Sequence, residues 1–195
     1  MWVPFAILAA VVLLPILYVV LTYNTLVALR NHIRDAWANI DTELKRRYEL
    51  IPNLVATVKG YAAHEKEVFE RVTQLRAQCM ASQGSPTQQA VDENQLVAAL
   101  QKLMLVVENY PQLKADRNFL ELQKELVNTE DRIQAARRFF NGNVRDYRNK
   151  CETFPSNLIA GMFGFKPRDF FNVDPAVREA PEVGPATDEH GKHRL

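Results

Sequence analysis

The chain has 195 residues, 47% of them hydrophobic and 24% charged, with 24 basic side chains against 23 acidic ones and a formal net charge of +1. That balance supplies no field for a polyanion and argues against a nucleic-acid partner. Its two cysteines, Cys79 and Cys151, have no ligand spacing, which excludes a disulfide-stapled mini-domain and a cysteine-based metal site.

From Trp2 to Leu21 no residue is charged, a run of about 20 residues and long enough to cross a ~30 Å hydrocarbon core. No Lys or Arg precedes it, and the bulky Leu21, Thr22, Tyr23 and Asn24 replace a small-residue cleavage site. Residues 1–22 therefore read as an uncleaved transmembrane anchor. Pro4 and Pro15 are tolerable in a spanning helix, and Trp2 with Tyr18 or Tyr23 suits the two interfaces. Arg30, Arg34, Lys45, Arg46 and Arg47 all follow the span. The positive-inside rule places the amino terminus outside and the main domain in the cytoplasm.

Between Asn24 and Gln83 an apolar stripe runs almost unbroken through Leu26, Leu29, Ile33, Trp37, Ile40, Leu44, Tyr48, Ile51, Val55, Val58, Ala62, Phe69 and Val72. Pro52 interrupts it, where a mid-helix proline costs about 3 kcal/mol and a hydrogen bond, so it marks either a kink or a corner. Ser85 and Gln88 form a capping-box pattern with Pro86 at the first helical position. The next helix carries Leu96, Leu100, Leu103, Val107 and Tyr110 before Pro111, a second kink or corner. Asp116 then fits the N-cap of a long helix with Phe119, Leu122, Leu126, Ile133, Phe140, Val144, Tyr147 and Cys151 on one face. Nothing alternates at period two. The expected fold is all-α, a transmembrane helix followed by an antiparallel up-and-down helical bundle over residues 23–153, packed in bundle or coiled-coil fashion.

Two prolines leave alternatives. If both are corners, four helices run away from the membrane, back, away and back. If both are kinks, one long hairpin of roughly 80–90 Å results. Both return residue 152 to the bilayer, whereas a kink at Pro52 with a corner at Pro111 leaves it distant. Four helices put Cys79 and Cys151 at one end, and the hairpin puts them at opposite ends. Residues 154–171 form a short apolar, Phe-rich segment broken by Gly and Pro, and residues 172–195 read as a disordered tail.

Several stretches resemble the LemA family: YNTLVALRNHIRDAWANIDTELKRRYELIPNLVATVKGYAAHE, ENQLVAALQKL, NYPQLKADRNFLELQKEL, TEDRIQAARRFFN and FPSNLIAGMFGFKPRDFF. The resemblance covers about Tyr23 to Val183. It implies a bacterial single-pass membrane protein with a helical-bundle domain and no known enzymatic activity, cofactor or catalytic residue. Family members often lie beside genes for membrane proteases or TPM-domain proteins, and one relative takes part in forming magnetosome membranes.

The residues themselves agree with a non-enzyme. None of the four histidines has a glutamate three positions before it, as a dimetal bundle requires, and His64-Glu65 lacks the second histidine of a zinc-protease motif. His64, Glu65 and Glu67 read as bundle surface, and His190 with His193 as an accidental pair in the tail. Arg46 and Arg47 lie about 35–40 Å past the span along a straight helix, too far for direct lipid contact. They read as a solvated face, as donors to carbonyls freed by Pro52, or as a protomer contact. Phe163, Phe165, Phe170 and Phe171, with Lys166 and Arg168, read either as a cap folded on the bundle or as a membrane-interface or protomer contact, the aromatics at headgroup level and the cations near anionic lipid. The functional expectation is a membrane protein without cofactor or metal that self-associates as a homo-oligomer and organises or shapes the bilayer. The alternative is an adaptor that presents helix faces to a membrane protease or another envelope protein.

Overall fold

Pro52 does not turn the chain. In the computed structural model, which describes residues 2–82 and 84–171, helix α1 runs without interruption from Val3 to Tyr61 and carries Pro15 and Pro52 inside it. At 59 residues it is about 88 Å long. Proline at 52 removes the N–H that would bond the Tyr48 carbonyl. That carbonyl instead accepts from Arg76 Nε at 2.7 Å, so a side chain from the neighbouring helix replaces the missing donor. Pro52 itself is exposed while Ile51 is buried, so the ring points away from the core.

The turn falls ten residues later. Residues 62–65 leave helical geometry, and α2 (Lys66–Ala81) runs back along α1. A second turn leads into α3 (Pro86–Val107), where the Ser85 hydroxyl accepts from the Gln88 N–H at 3.3 Å and Pro86 opens the helix as expected. Gln88 spends its own amide on Asp92 rather than closing the capping box. Pro111 is a corner residue: it opens α4 (Pro111–Lys114), one turn between α3 and the long α5 (Arg117–Glu152). Asp116 caps α5 by accepting from the Phe119 N–H at 2.9 Å, and the Tyr61 hydroxyl donates to its other oxygen. A short α6 (Ser156–Met162) follows.

The chain thus runs away from the apolar segment, back, away and back, with the first corner at residues 62–65 instead of Pro52. This is why Glu152 returns to the apolar end although α1 is continuous through Pro52. Among the described residues every regular element is a helix. The core is the seam between α1 and α5, filled by Leu26, Ile33, Ile40, Leu44, Ile51, Phe119, Ile133, Phe140, Val144 and Tyr147, and extended over the far half by Val72, Leu75, Leu96 and Leu103 of α2 and α3. Because α2 and α3 cover only that far half, the cysteines do not share an end. Cys79 lies beside Tyr48, while Cys151 contacts Tyr147 near Arg30, some 18 residues or about 27 Å lower along α1. Both thiols are free. The tail expected from residue 172 lies outside the described residues, as do His190 and His193.

Candidate membrane-facing site

Where α1 leaves its apolar run, α6 is strapped to its flank. The Ser156 hydroxyl donates to the Lys150 and Thr153 carbonyls at 2.7 and 2.8 Å, tying the start of α6 to the end of α5. Ile159 and Ala160 are buried, as are Thr22 and Leu26 of α1. The opposite face is bare hydrocarbon: Phe154 is 74% exposed, Leu158 59%, Met162 77% and Phe163 50%. Phe154, Leu158 and Met162 are spaced four apart, and Phe154 lines the same shallow hollow as Tyr18. Phe163 meets Tyr23 edge-on at 4.8 Å. An apolar rim therefore encircles part of the bundle's base, level with the end of the apolar run of α1, where Trp2, Phe5, Leu8, Val12, Leu14 and Leu17 are likewise more than half exposed.

Gly164, at φ +70°, reverses the chain here. The Phe165 N–H bonds the Ala160 carbonyl at 2.9 Å and the Gly164 N–H bonds Gly161, the paired bonds of a helix end with a left-handed residue. Residues 165–171 then climb the bundle away from the apolar end. Phe165 lies under the Arg30 guanidinium at 5.4 Å, and Phe170 under Arg148 at 5.4 Å. The Asn141 side chain grips the Phe171 backbone in both directions, donating to its carbonyl at 3.0 Å and accepting from its N–H at 2.9 Å. The Phe171 ring is sandwiched between Trp37, 5.6 Å away, and Arg137, 4.7 Å away.

The Phe-rich group expected to act together is thereby divided. Phe171, 1% exposed, is core and cannot reach a bilayer, and Phe165 and Phe170 are half covered. Lys166 and Arg168 are exposed along the climbing segment, and only Phe163 faces outward at the base. Phe154, Leu158 and Met162 precede the Phe163–Phe171 group and belong to no aromatic or charged cluster in the sequence. The four-residue spacing from Phe154 to Met162 was the available signal.

A second cluster sits at mid-bundle. Arg47, fully buried, donates to Glu93 of α3 and, at 2.7 Å, to Glu130 of α5, while the Tyr48 hydroxyl also donates to Glu93. Arg47 is therefore neither a solvated residue nor a free surface contact, and the donor to the carbonyl freed by Pro52 is Arg76. Arg46 does face water, 4.0 Å from Glu43. Arg137 is also buried, with Nε and Nη2 lacking hydrogen bonds among the described residues and its Cζ over the Phe171 ring. Burial first, and the charge of Arg47 second, pull its pKa down from the ordinary arginine value. Burial and the adjacent Glu93 carboxylate drive Tyr48 well above the usual phenol range. Burial, then Glu93, pushes the Cys79 thiol up to about 12. Glu93 is engaged by two donors, so the cluster clamps α1, α3 and α5 together. His64 and Glu67 are exposed and Glu65 is half buried. Among the described residues no three His, Cys, Asp or Glu side chains converge on a metal-sized site.

The family model described as LemA family matches residues 36–184. The chain is 27% identical over 179 residues to Magnetosome protein MamQ 2 of Paramagnetospirillum magneticum, a match covering 79% of this chain and 66% of that protein. It is 26% identical over 179 residues to Magnetosome protein MamQ of Magnetospirillum gryphiswaldense, with the same coverage. It is 28% identical over 160 residues to Protein LemA of Metamycoplasma hominis, covering 82% of this chain and 70% of that one. The match thus spans just under two thirds of the length of the magnetosome relatives.

Proposed function

We propose that this chain, which belongs to the LemA family, is a non-enzymatic single-pass protein of the bacterial cytoplasmic membrane that self-associates and shapes the bilayer around its own base. The observation that carries this reading is the apolar rim of Phe154, Leu158, Met162 and Phe163 beside the end of an apolar helix. A helix crossing the bilayer holds the rim at headgroup level. Each rim side chain gains up to about 1.5–3 kcal/mol on leaving water, and the tether removes most of the association cost. Apolar side chains inserted into one leaflet only expand that leaflet, and lateral packing of many copies multiplies the effect. With the bundle in the cytoplasm, the inner leaflet is the one expanded. The likeness to two magnetosome proteins agrees with a role at membranes.

The test is reconstitution into liposomes of phosphatidylglycerol and phosphatidylethanolamine, imaged by electron microscopy. A variant with Phe154, Leu158, Met162 and Phe163 all changed to Ser should fold and insert, because these side chains leave the core untouched. Wild type is expected to coat or deform the vesicles and the variant to leave them smooth. Equal deformation by both removes the rim from the mechanism.

The adaptor reading rests on a different observation. Val127 and Phe139 of α5 are more than half exposed on the bundle wall, away from the base. A membrane protease or another envelope protein docked there would cover them, and Phe139→Ser would then lose that partner while leaving vesicle deformation unchanged.

A further inference from the structure

Above the apolar rim the climbing segment closes a cleft of about 440 Å³ against α1. Its walls are Arg30, Arg34 and Trp37 of α1, Gly84 of the turn between α2 and α3, Pro86 at the start of α3, and Arg168 of the climbing segment. Arg30 and Arg34 are one helical turn apart and so face the same way. Arg168 comes from a segment 134 residues further along the chain and meets them only because Gly164 turns it upward.

What sets this cleft apart is convergence: three guanidinium groups from two distant parts of the chain line one hollow. Some surface arginines elsewhere stand beside carboxylates, as Arg46 by Glu43, Arg117 by Glu121 and Arg148 by Glu152, while others such as Arg71, Arg132, Arg138 and Arg145 are exposed singly. Arg30, Arg34 and Arg168 have no ion-pair partner among the described residues. The one carboxylate in the walls is Asp169, which leaves the cleft at +2. Guanidinium groups brought together in a walled, partly apolar space repel unless an anion joins them, and their planar donor forks match phosphate oxygens in pairs. Arg30 is held in place by the Phe165 ring, so part of the ordering cost is already met.

Height gives the cleft its context. Arg30 is the first charged residue after the apolar run, seven residues beyond Tyr23, which meets Phe163 at the end of α6, so it lies about 10 Å above that level. A guanidinium spans several of those ångströms back toward the headgroups. From these features we infer that the cleft is a binding site for a phosphate group, taken either from an acidic membrane lipid or from a free phosphate in the cytoplasm. The lipid form rests on the membrane reading above, and the free form does not.

Trp37 makes the site readable. The chain has two tryptophans, and Trp2 lies at the far end of the apolar helix, so the full chain with Trp2→Phe reports the cleft through Trp37 fluorescence. In detergent micelles this protein is titrated with dioctanoyl phosphatidic acid, inorganic phosphate and, as a zwitterionic control, dioctanoyl phosphatidylcholine. The same titrations are run on R34Q/R168Q and R34K/R168K, whose side chains are exposed and leave the core intact. Saturable quenching or shift by phosphatidic acid but not phosphatidylcholine is expected, weakened at least about tenfold in R34Q/R168Q and less in R34K/R168K. Inorganic phosphate that saturates the same signal assigns the site to a free phosphate, and phosphatidic acid acting alone assigns it to a lipid. No saturable response to either phosphate probe, or identical curves for R34Q/R168Q and wild type, overturns the inference. The rim variant is titrated in parallel. If its Trp37 response is normal while wild-type vesicles stay smooth, the shaping reading fails and the cleft stands.

Discussion

Arg47, Glu93 and Arg137 occupy stripe positions that hydrophobic side chains would otherwise fill. Arg47 follows Leu44 by three residues, Glu93 lies between Ala90 and Leu96, and Arg137 lies between Ile133 and Phe140. In the sequence each looks like an ordinary polar residue bordering a stripe. Arg137 is buried close by without a hydrogen bond to the others, and only the tertiary structure brings Arg47 of α1, Glu93 of α3 and Glu130 of α5 together as a clamp. Its energetics are asymmetric: removing one partner strands a buried charge, whereas removing all restores an apolar seam. Glu93→Leu is expected to lower stability by about 3–5 kcal/mol, because Arg47 and the Tyr48 hydroxyl lose an acceptor they cannot replace. Arg47→Met with Glu93→Leu should recover the part due to the stranded Arg47 charge, while the buried Tyr48 hydroxyl stays without its acceptor. Denaturant unfolding followed by circular dichroism measures both, and a double variant as unstable as the single one would show that the clamp is worth more than hydrocarbon in its place.

At the scale of elements, the long first helix depends on a contact that no local rule contains. A proline at mid-helix normally breaks it, and the strand-free pattern around Pro52 left kink and corner equally open. Arg76 resolves the question by donating to the Tyr48 carbonyl, and Arg76 arrives only after the chain has turned at residues 62–65 and come back. Arg76→Ala should leave that carbonyl without its donor and cost about 1–3 kcal/mol. The loss should appear as a lower unfolding midpoint together with faster amide exchange around residues 48–55. Restoring an N–H with Pro52→Ala in the same chain should make Arg76→Ala nearly silent. If Arg76→Ala is silent while Pro52 is present, the contact does not support the helix. The turn at 62–65 was itself invisible, because the seven-residue gap from Ala62 to Phe69 keeps helical phase and no proline or capping pattern marks it. The caps at Ser85 and Asp116 were legible because a side-chain oxygen three residues before its donor is a local arrangement.

The whole molecule is a helix about 88 Å long with two unequal partners, α5 along it from about Leu26 to Tyr61 and the α2–α3 hairpin over the far half only. That inequality separates the cysteines. With Cys79 and Cys151 about 27 Å apart and a disulfide needing Cα atoms within about 7 Å, oxidation of the folded monomer should yield no intrachain bridge. Intact-mass measurement and thiol titration after denaturation check this, and a loss of two mass units would refute the helix levels described above. An all-α fold, an apolar helix of spanning length and membership of the LemA family could all be read from the chain, since composition, 3.6-residue periodicity and long motif runs are properties of the sequence itself. Which apolar side chains face out at the base, why Phe171 does not, where the first corner falls, and how Arg30 and Arg34 come to share a cleft with Arg168 were decided by tertiary structure. Each of these depends on side chains distant in sequence satisfying one another's hydrogen bonds, charge or volume, and no local pattern encodes that pairing.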